Sequence, residues 1–334
     1  MSRRVSTGSG EAARTAGGSR LAPEYHTSSP DTTLFVGDCR EVLPAAVEPG
    51  SVDLIFADPP FNWSRDYDRH EAGGAWDDRM AERVYCDVNQ SFTTVMGDAG
   101  AFTQQWLDLC IEALAPHGAL WVNIPDTWAA EIVVHLKQRG LTMMNWCIWH
   151  YRFGQNTLGR FINSKVHALY FVKDADAGRR WNTDAILEPS DRATTYADPR
   201  TQNKKEGKNG WRVPLDVWYG KWWGRIQGNN KERRAQHDNQ IPEVYLERVV
   251  RACSNEGDLV LDPFCGSGTT STVARALGRR SITIEYSPAN AETAWERITM
   301  GPLRVTKDQP TVHVNPLFQG RSRRSAVNST NGDG

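Results

Sequence analysis

Two short apolar runs in this chain each end in an Asp-Pro turn: LIFADPPF at 54–61 and LVLDPFCGSG at 259–268. Runs of this length, rich in Leu, Ile and Val and stopped by a turn, read as strands buried on both faces, as in parallel sheets. In an open parallel sheet ligands bind outside the carboxyl ends of the strands, so both turns are expected at one cleft. The second turn is glycine-rich and suits a cofactor lying close to backbone. The first offers a carboxylate, a rigid carbonyl and an aromatic ring to a flat polar ring.

Strand and helix patterns alternate around these turns. A strand at Thr33–Val36 ends in Gly37-Asp38, and a helix follows over about Cys39–Val47. Strand Val52–Ala57 leads into the first turn, and residues 62–100 are polar and loop-like. Helical spacing resumes at Phe102, Trp106, Leu109, Cys110 and Ala113. A Pro116–Gly118 turn then leads to strand Ala119–Asn123, and Pro125-Asp126 opens a helix to about Arg139. Strands are expected at Leu141–His150 and Val166–Val172. Beyond a long irregular stretch come a helix from Pro242 to about Ala252, strand Asp258–Asp262, helix Gly268–Leu277, strand Ser281–Glu285 and helix Pro288–Ile298. This alternation predicts an α/β fold with a doubly wound, mostly parallel sheet.

The periodicity fails over 174–236, where Pro, Gly, Asn and Lys cluster with Trp181, Trp211, Trp218, Trp222 and Trp223. From Tyr151 to Gln236 there are 17 Lys and Arg against 9 Asp and Glu, on a chain whose net charge is −1. A basic segment on an acidic body is the footprint of a groove for a polyanion. Lys204, Lys205, Lys221, Arg225, Arg233 and Arg234 are candidate phosphate contacts, with solvated loops as the alternative. The WYGKWWGR run at 218–225 suits stacking on bases or burial as core in equal measure. The expected organisation is a disordered tail at 1–30, a catalytic half at 31–173, an inserted recognition region at 174–236, a cofactor-binding half at 237–301 and a disordered tail at 302–334.

At 39% hydrophobic and 24% charged residues, the composition is that of an ordinary soluble globular protein. No apolar run approaches the roughly 20 residues that span a bilayer, and the first 30 residues lack the apolar core of a signal peptide. The six cysteines form no Cys-x-x-Cys pair and have no matching His spacing. They read as reduced core residues of a cytoplasmic protein that binds no metal and no membrane.

The second turn, Asp262-Pro-Phe-Cys-Gly-Ser-Gly-Thr-Thr, fits neither G-x-x-x-x-G-K-[ST] nor G-x-G-x-x-G, which disfavours a nucleoside triphosphate loop and a nicotinamide oxidoreductase. Gly266 and Gly268 permit tight curvature, and Glu285 ends the next strand, placed to accept from ribose hydroxyls. The pattern points to an adenosine-containing cofactor; a helix-start turn without a ligand is the alternative. In the first turn the prolines stiffen the loop, while Asp58 and the Pro59 carbonyl supply two acceptors. Two acceptors on an aryl amine draw its lone pair out of conjugation with the ring, and Phe61 stacks on that ring.

These elements, taken in order, resemble the β class of DNA amino-methyltransferases, in which the catalytic motif precedes the cofactor motif. The likeness covers about residues 32–300. It rests on Gly37-Asp38, DPPF, the Leu114-Ala-Pro-His-Gly lead-in, a variable region, HDNQIPEVYLERVV at 237–250, DPFCGSGTT and Glu285. The resemblance implies S-adenosyl-L-methionine as methyl donor, a seven-stranded sheet, and double-stranded DNA read by residues 174–236. It assigns Asp262, Phe264, Gly266, Ser267, Gly268 and Thr269 to the cofactor site, Glu285 to the ribose and Asp38 to the adenine amine. His237 and Gln240 fall at the methionine end, and Asp58, Pro59, Pro60 and Phe61 hold the target base. One departure is Ile241, which replaces the Lys of the family's Pro-x-Gln-Lys-Pro-like stretch.

Asp58 as the first motif letter favours the exocyclic amine of adenine, because family members with Ser there act on that of cytosine. Such an amine is buried in a duplex, so its base must be flipped out. The chain holds no Pro-Cys motif, which excludes chemistry at a cytosine ring carbon. The cytosine amine, an RNA or protein-glutamine substrate (relatives with Asn in place of Asp58) and a non-catalytic DNA-binding relative are the competing readings. A cognate restriction endonuclease and a homodimer are the partners the resemblance leaves open.

Overall fold

The computed structural model describes residues 21–60, 100–126, 129–151, 158–159, 161–199, 211–220, 223–224, 226, 232–233 and 240–303. In chain order its elements begin with β1 (Tyr25–Ser28), β2 (Asp31–Val36), α1 (Cys39–Ala46) and β3 (Val52–Ala57). Next come α2 (Gly100–Ala113), β4 (Leu114–Ile124), α3 (Ala129–Gln138), β5 (Thr142–His150) and β6 (Lys165–Val172). The irregular region holds β7 (Glu188–Pro189), α4 (Asp191–Thr194), β8 (Trp211–Arg212) and β9 (Val217–Trp218). The chain then returns through α5 (Glu243–Cys253), β10 (Leu259–Asp262), α6 (Thr269–Ala276), β11 (Arg280–Glu285) and α7 (Pro288–Met300).

Nine strands form one sheet in the order β1-β2-β11-β10-β3-β4-β6-β5-β9. Strands β2, β11, β10, β3 and β4 are mutually parallel, and β6 runs against both its neighbours. The expected seven strands are the run from β2 to β5. The count rises to nine because β1 adds antiparallel beside β2 and β9 adds parallel beside β5. All six residues of β3 are buried, as an apolar run at the middle of a sheet requires.

Side chains alternate between two faces, so each strand feeds two cores. Ile55, Ala57, Leu120 and Val122 pack with α1, α2 and α3 on one face. Leu54, Phe56, Ala119 and Trp121 pack with α5 and α6 on the other. A smaller cluster of Leu34, Cys265, Ala291, Ala294 and Ile298 seats α7. The five described cysteines are all buried thiols. Among the described residues no helix is long and apolar enough to cross a membrane, and no cluster of side chains is set to hold a metal ion.

Two expectations change, and an alternative left open in the sequence is decided in part. The tail expected at 1–30 contributes β1, which pairs with β2 and stacks Tyr25 on Trp295 at 5.5 Å, a long-range contact that no local pattern announces. The Pro116–Gly118 turn lies inside β4, where pairing with β3 jumps from Val52↔Leu114 to Leu54↔Ala119 and His117 reaches Asp53 at 2.7 Å. Of the tryptophans in 174–236, three pack in the core, Trp211 is exposed and Trp222 lies outside the described residues. Trp218 and Trp223 are buried, and Trp181 stacks on Tyr170, which itself stacks on Trp121 at 4.6 Å.

Candidate active site

The parallel strands end on one rim of the sheet. Reading across it, β2 leads into Asp38, β11 ends at Glu285, β10 at Asp262, β3 runs into Asp58, and β4 carries Asn123 one residue from its end. Four expected site residues, Asp38, Asp58, Asp262 and Glu285, are therefore brought to one edge although they span more than half of the chain.

The glycine turn is built by its own backbone. Asp262 is buried, and its Oδ1 accepts from the Phe264 N–H at 2.9 Å. Burial pushes its carboxyl up to about 6, against the opposing pull of the Thr270 hydroxyl and the Phe264 N–H. Cys265 N–H donates to Ile284 O at 2.8 Å, which fastens the loop to β11. The two glycines differ in purpose. Gly268 has φ +73°, and a Cβ there would lie 3.0 Å from Ala294 O and 3.2 Å from Ile298, so α7 occupies that space. Gly266 has φ +51°, and a Cβ there would meet nothing nearer than Phe264 O at 3.8 Å. The open space lies over Gly266, which makes it the glycine that a ligand can approach.

Below the turn sits a buried ion pair that sequence reasoning missed. Arg297 of α7 and Glu243 of α5 are both fully buried and lie 3.1 Å apart. Arg297 Nη1 also donates to Ser267 Oγ at 3.0 Å, Ser267 O at 3.2 Å and Thr269 Oγ1 at 2.6 Å. The hydroxyls of Ser267 and Thr269 thus brace the scaffold by accepting from Arg297. Glu243 accepts a further bond from the Leu303 N–H at 3.2 Å. The hydroxyls at the turn and an arginine some thirty residues on are the only sequence trace of this arrangement.

Glu285 holds the rim together and remains partly exposed. Its Oε2 accepts from Gly266 N–H at 2.8 Å and its Oε1 from Ser287 N–H at 3.1 Å. The Asn290 side chain adds a third bond to this carboxylate. Burial pushes the carboxyl up to about 7, against the opposing pull of the Ser287 and Gly266 N–H groups and the Asn290 side chain. Phe264 is partly buried and stands edge-on to Trp106 at 5.0 Å. Asp38 caps α1 by accepting from Arg40 N–H at 2.9 Å, and the Arg40 guanidinium pairs with it at 2.6 Å. Gln240 is buried and donates to Glu232 O at 2.6 Å, so its amide nitrogen ties two loop segments together.

On the neighbouring strand Asp58 and Pro60 are partly exposed and Pro59 is buried. Behind them lies Tyr245 of α5, fully buried, edge-on to Phe56 at 5.6 Å and to Trp218 at 5.1 Å. Its hydroxyl donates to Asn123 Oδ1. Burial drives the phenol well above its usual range, and nearby Cys147 and Asp58 add to the effect. Neither Asn123 nor Tyr245 was singled out from sequence; the one signal was that Asn123 closes an apolar strand.

Of the basic residues expected to meet a polyanion, Arg233 is partly buried. Lys204, Lys205, Lys221, Arg225 and Arg234 lie outside the described residues, as do Phe61 and His237. Three other described cations of the region have partners within the chain. Arg212 pairs with Asp191 at 2.9 Å, Arg180 with Asp258 at 3.3 Å, and Arg179 lies over Trp181.

A doubly wound sheet with a glycine turn and an Asp-Pro-Pro turn side by side on its carboxyl rim defines a class, and comparison with known proteins gives the family. Residues 52–296 match the family model of DNA methylases that covers the N6 and N4 methyltransferases, and the chain belongs to that family. It is 31% identical over 253 residues to the type II methyltransferase M.HpaI of Haemophilus parainfluenzae, covering 75% of this chain and 69% of that protein. It is 30% identical to the type II methyltransferase M.BamHI of Bacillus amyloliquefaciens, covering 79% of this chain and 56% of that one. Among solved structures, the PvuII cytosine-N4-specific DNA methyltransferase superposes with a TM-score of 0.56 at 16% identity, over 89% of this chain and 94% of that one. The complex of M1.HpyAVI with SAM gives 0.50 at 19% identity, over 80% and 98%. At such identities the structural likeness speaks for the fold.

Proposed function

We propose that this protein transfers a methyl group from S-adenosyl-L-methionine to the exocyclic amine of an adenine flipped out of duplex DNA. The observation that carries the reading is the placement of Asp58 at the end of β3, the strand paired with the glycine-turn strand β10. A cofactor over Gly266 and a base at Asp58 would therefore lie on adjacent strands, about 5 Å apart.

The residues at the rim fit this donor. Glu285 presents its carboxylate to the ribose hydroxyls, Gly266 leaves space above its backbone, Phe264 presents a ring, and Asp38 stands at the far end for an amine. Bound there, S-adenosyl-L-methionine supplies an electrophilic methyl group, so the chain needs no nucleophile of its own. Asp58 and the Pro59 carbonyl accept the two amine hydrogens and hold the nitrogen lone pair out of the ring. Asp58 or solvent takes the proton that the amine loses, and Phe61 stacks on the base. Residues 174–236 read the DNA target, with Lys204, Lys205, Lys221, Arg225, Arg233 and Arg234 on phosphates.

The Asp of the first turn supports adenine over cytosine, whose amine would be held in the same way. Incubating the protein with methyl-labelled S-adenosyl-L-methionine and unmethylated genomic DNA, then digesting to nucleosides, separates the two. Label on the adenine amine is the expected result. Label on the cytosine amine overturns the base assignment and keeps the chemistry.

A further inference from the structure

Asn123 stands out as a buried polar side chain with half of its amide in use. It is fully buried at the rim end of β4, and its Oδ1 is occupied by the Tyr245 hydroxyl. Its Nδ2 is also buried and has no hydrogen-bond partner among the described residues. An amide donor left unpaired in a core costs about 1–3 kcal/mol, which makes a partner in the working complex worth seeking.

The register of the sheet names that partner. Strands β3 and β4 are parallel, with Phe56 beside Trp121 and Ala57 beside Val122. The next pair along is Asp58 and Asn123, on neighbouring strands about 5 Å apart. Successive side chains alternate faces: Phe56 and Trp121 point into the core shared with α5, Ala57 and Val122 into the opposite one. Asp58 and Asn123 therefore both project toward α5, where Tyr245 waits. Tyr245 in turn is fixed by its edge-on contacts with Phe56 and Trp218, so its hydroxyl has little freedom.

We infer that Asn123 and Tyr245 form a positioning pair behind Asp58. The tyrosine hydroxyl donates to Oδ1 and so sets which way the amide faces; Nδ2 is then the end left to donate to the Asp58 carboxylate once the base is bound. One carboxylate oxygen is held by the amide, and the other is left aimed at the amine hydrogen of the base. Asn123 itself touches neither base nor cofactor. No proton or bond is exchanged along the pair; its product is a fixed carboxylate orientation, on which a well-placed acceptor depends.

This inference rests on the role proposed for Asp58, and the experiment keeps the two apart. Single-turnover methyl transfer is measured for the wild type and for Asp58→Ala, Asn123→Leu, Asn123→Ser, Tyr245→Phe and the double variant Asn123→Leu/Tyr245→Phe. S-adenosyl-L-methionine and DNA binding and thermal melting are followed in parallel. Asn123→Leu is expected to slow transfer about 30- to 100-fold and Tyr245→Phe about 3- to 10-fold, with both binding constants within about twofold of wild type. The double variant is expected to be no slower than Asn123→Leu, because the tyrosine acts only through the amide. Should Asn123→Leu fail to fold, Asn123→Ser and Tyr245→Phe carry the same test. An inactive Asp58→Ala beside asparagine and tyrosine variants that transfer at the wild-type rate overturns the pair. So does a loss that falls on binding or melting alone. An active Asp58→Ala overturns the role of Asp58 itself.

Discussion

The two Asp-Pro turns look alike in sequence and do different work. Asp262 is buried and spends its carboxylate on its own loop, where it fixes the Phe264 backbone and carries a raised pKa. Asp58 occupies the corresponding place one strand away but is partly exposed, with a stiff proline pair after it. Asp262 builds its own loop, and Asp58, in the function proposed above, faces the base. A shared dipeptide therefore says that a strand ends at the rim, and the residues that follow decide what the end is for. Glycines after Asp262 let the chain curl under a ligand; prolines after Asp58 keep carboxylate and carbonyl rigid.

The largest expected effect separates the turns most directly. Asp58→Ala should lower methyl transfer about a thousandfold while leaving cofactor affinity and melting temperature near wild type, as read by labelled transfer, calorimetry and a thermal melt. Asp58→Ala that melts many degrees lower would mean that Asp58, like Asp262, is a builder.

Next comes the scaffold of the glycine turn. Arg297→Met leaves Glu243 buried without its partner and releases Ser267 and Thr269, and should cost about 3–5 kcal/mol in urea unfolding. The glycines should then divide. Gly268→Ala meets both a left-handed backbone and the Ala294 carbonyl, for a loss of about 1–3 kcal/mol of stability. Gly266→Ala has room for its methyl and should lose less stability, with the greater share of its effect on cofactor affinity measured by titration.

The smallest effect is a pH dependence. The Glu285 carboxyl rises from an ordinary 4.5 to about 7, so the folded chain binds this proton more tightly than the unfolded chain does. Its contribution to stability is present below about 4.5 and fades as pH rises through about 7, and Asp262, raised to about 6, acts in the same direction. Melting curves of the ligand-free protein between pH 5 and pH 8 should show this decline, and Glu285→Gln should flatten it.

Much of the cleft is legible in sequence because local chemistry dictates it. An apolar run ending in Asp-Pro-Pro or in Asp-Pro-Phe-Cys-Gly-Ser-Gly is a strand end whatever surrounds it, and β3 and α2 fall where their spacing puts them. What stays hidden depends on partners far away in the chain. Strand β1 is four residues with one large apolar side chain, and it exists because β2 is beside it. The tryptophans at 218 and 223 suit a nucleic-acid surface as well as a core, and only their packing against Tyr245 decides for the core. Arg297 reads as one more surface charge on a helix until Glu243, Ser267 and Thr269 are seen around it. Asn123 is invisible for the same reason: an asparagine at a strand end is ordinary, and its neighbour Tyr245 lies on another element.

The sheet order has a consequence for how the molecule is made. Strand β3 pairs with β10, and the Leu259 N–H bonds to Asp53 Oδ2 across 206 residues of chain. At ribosomal rates of about 5–20 residues per second, a newly made β3 waits roughly 10–40 s for the strand that covers its open edge. During that interval the most apolar strand at the centre of the sheet presents unpaired backbone to its surroundings. Slow translation or high expression therefore exposes the growing chain to association through β3, so soluble yield should depend more on chaperone supply than on the stability of the finished fold.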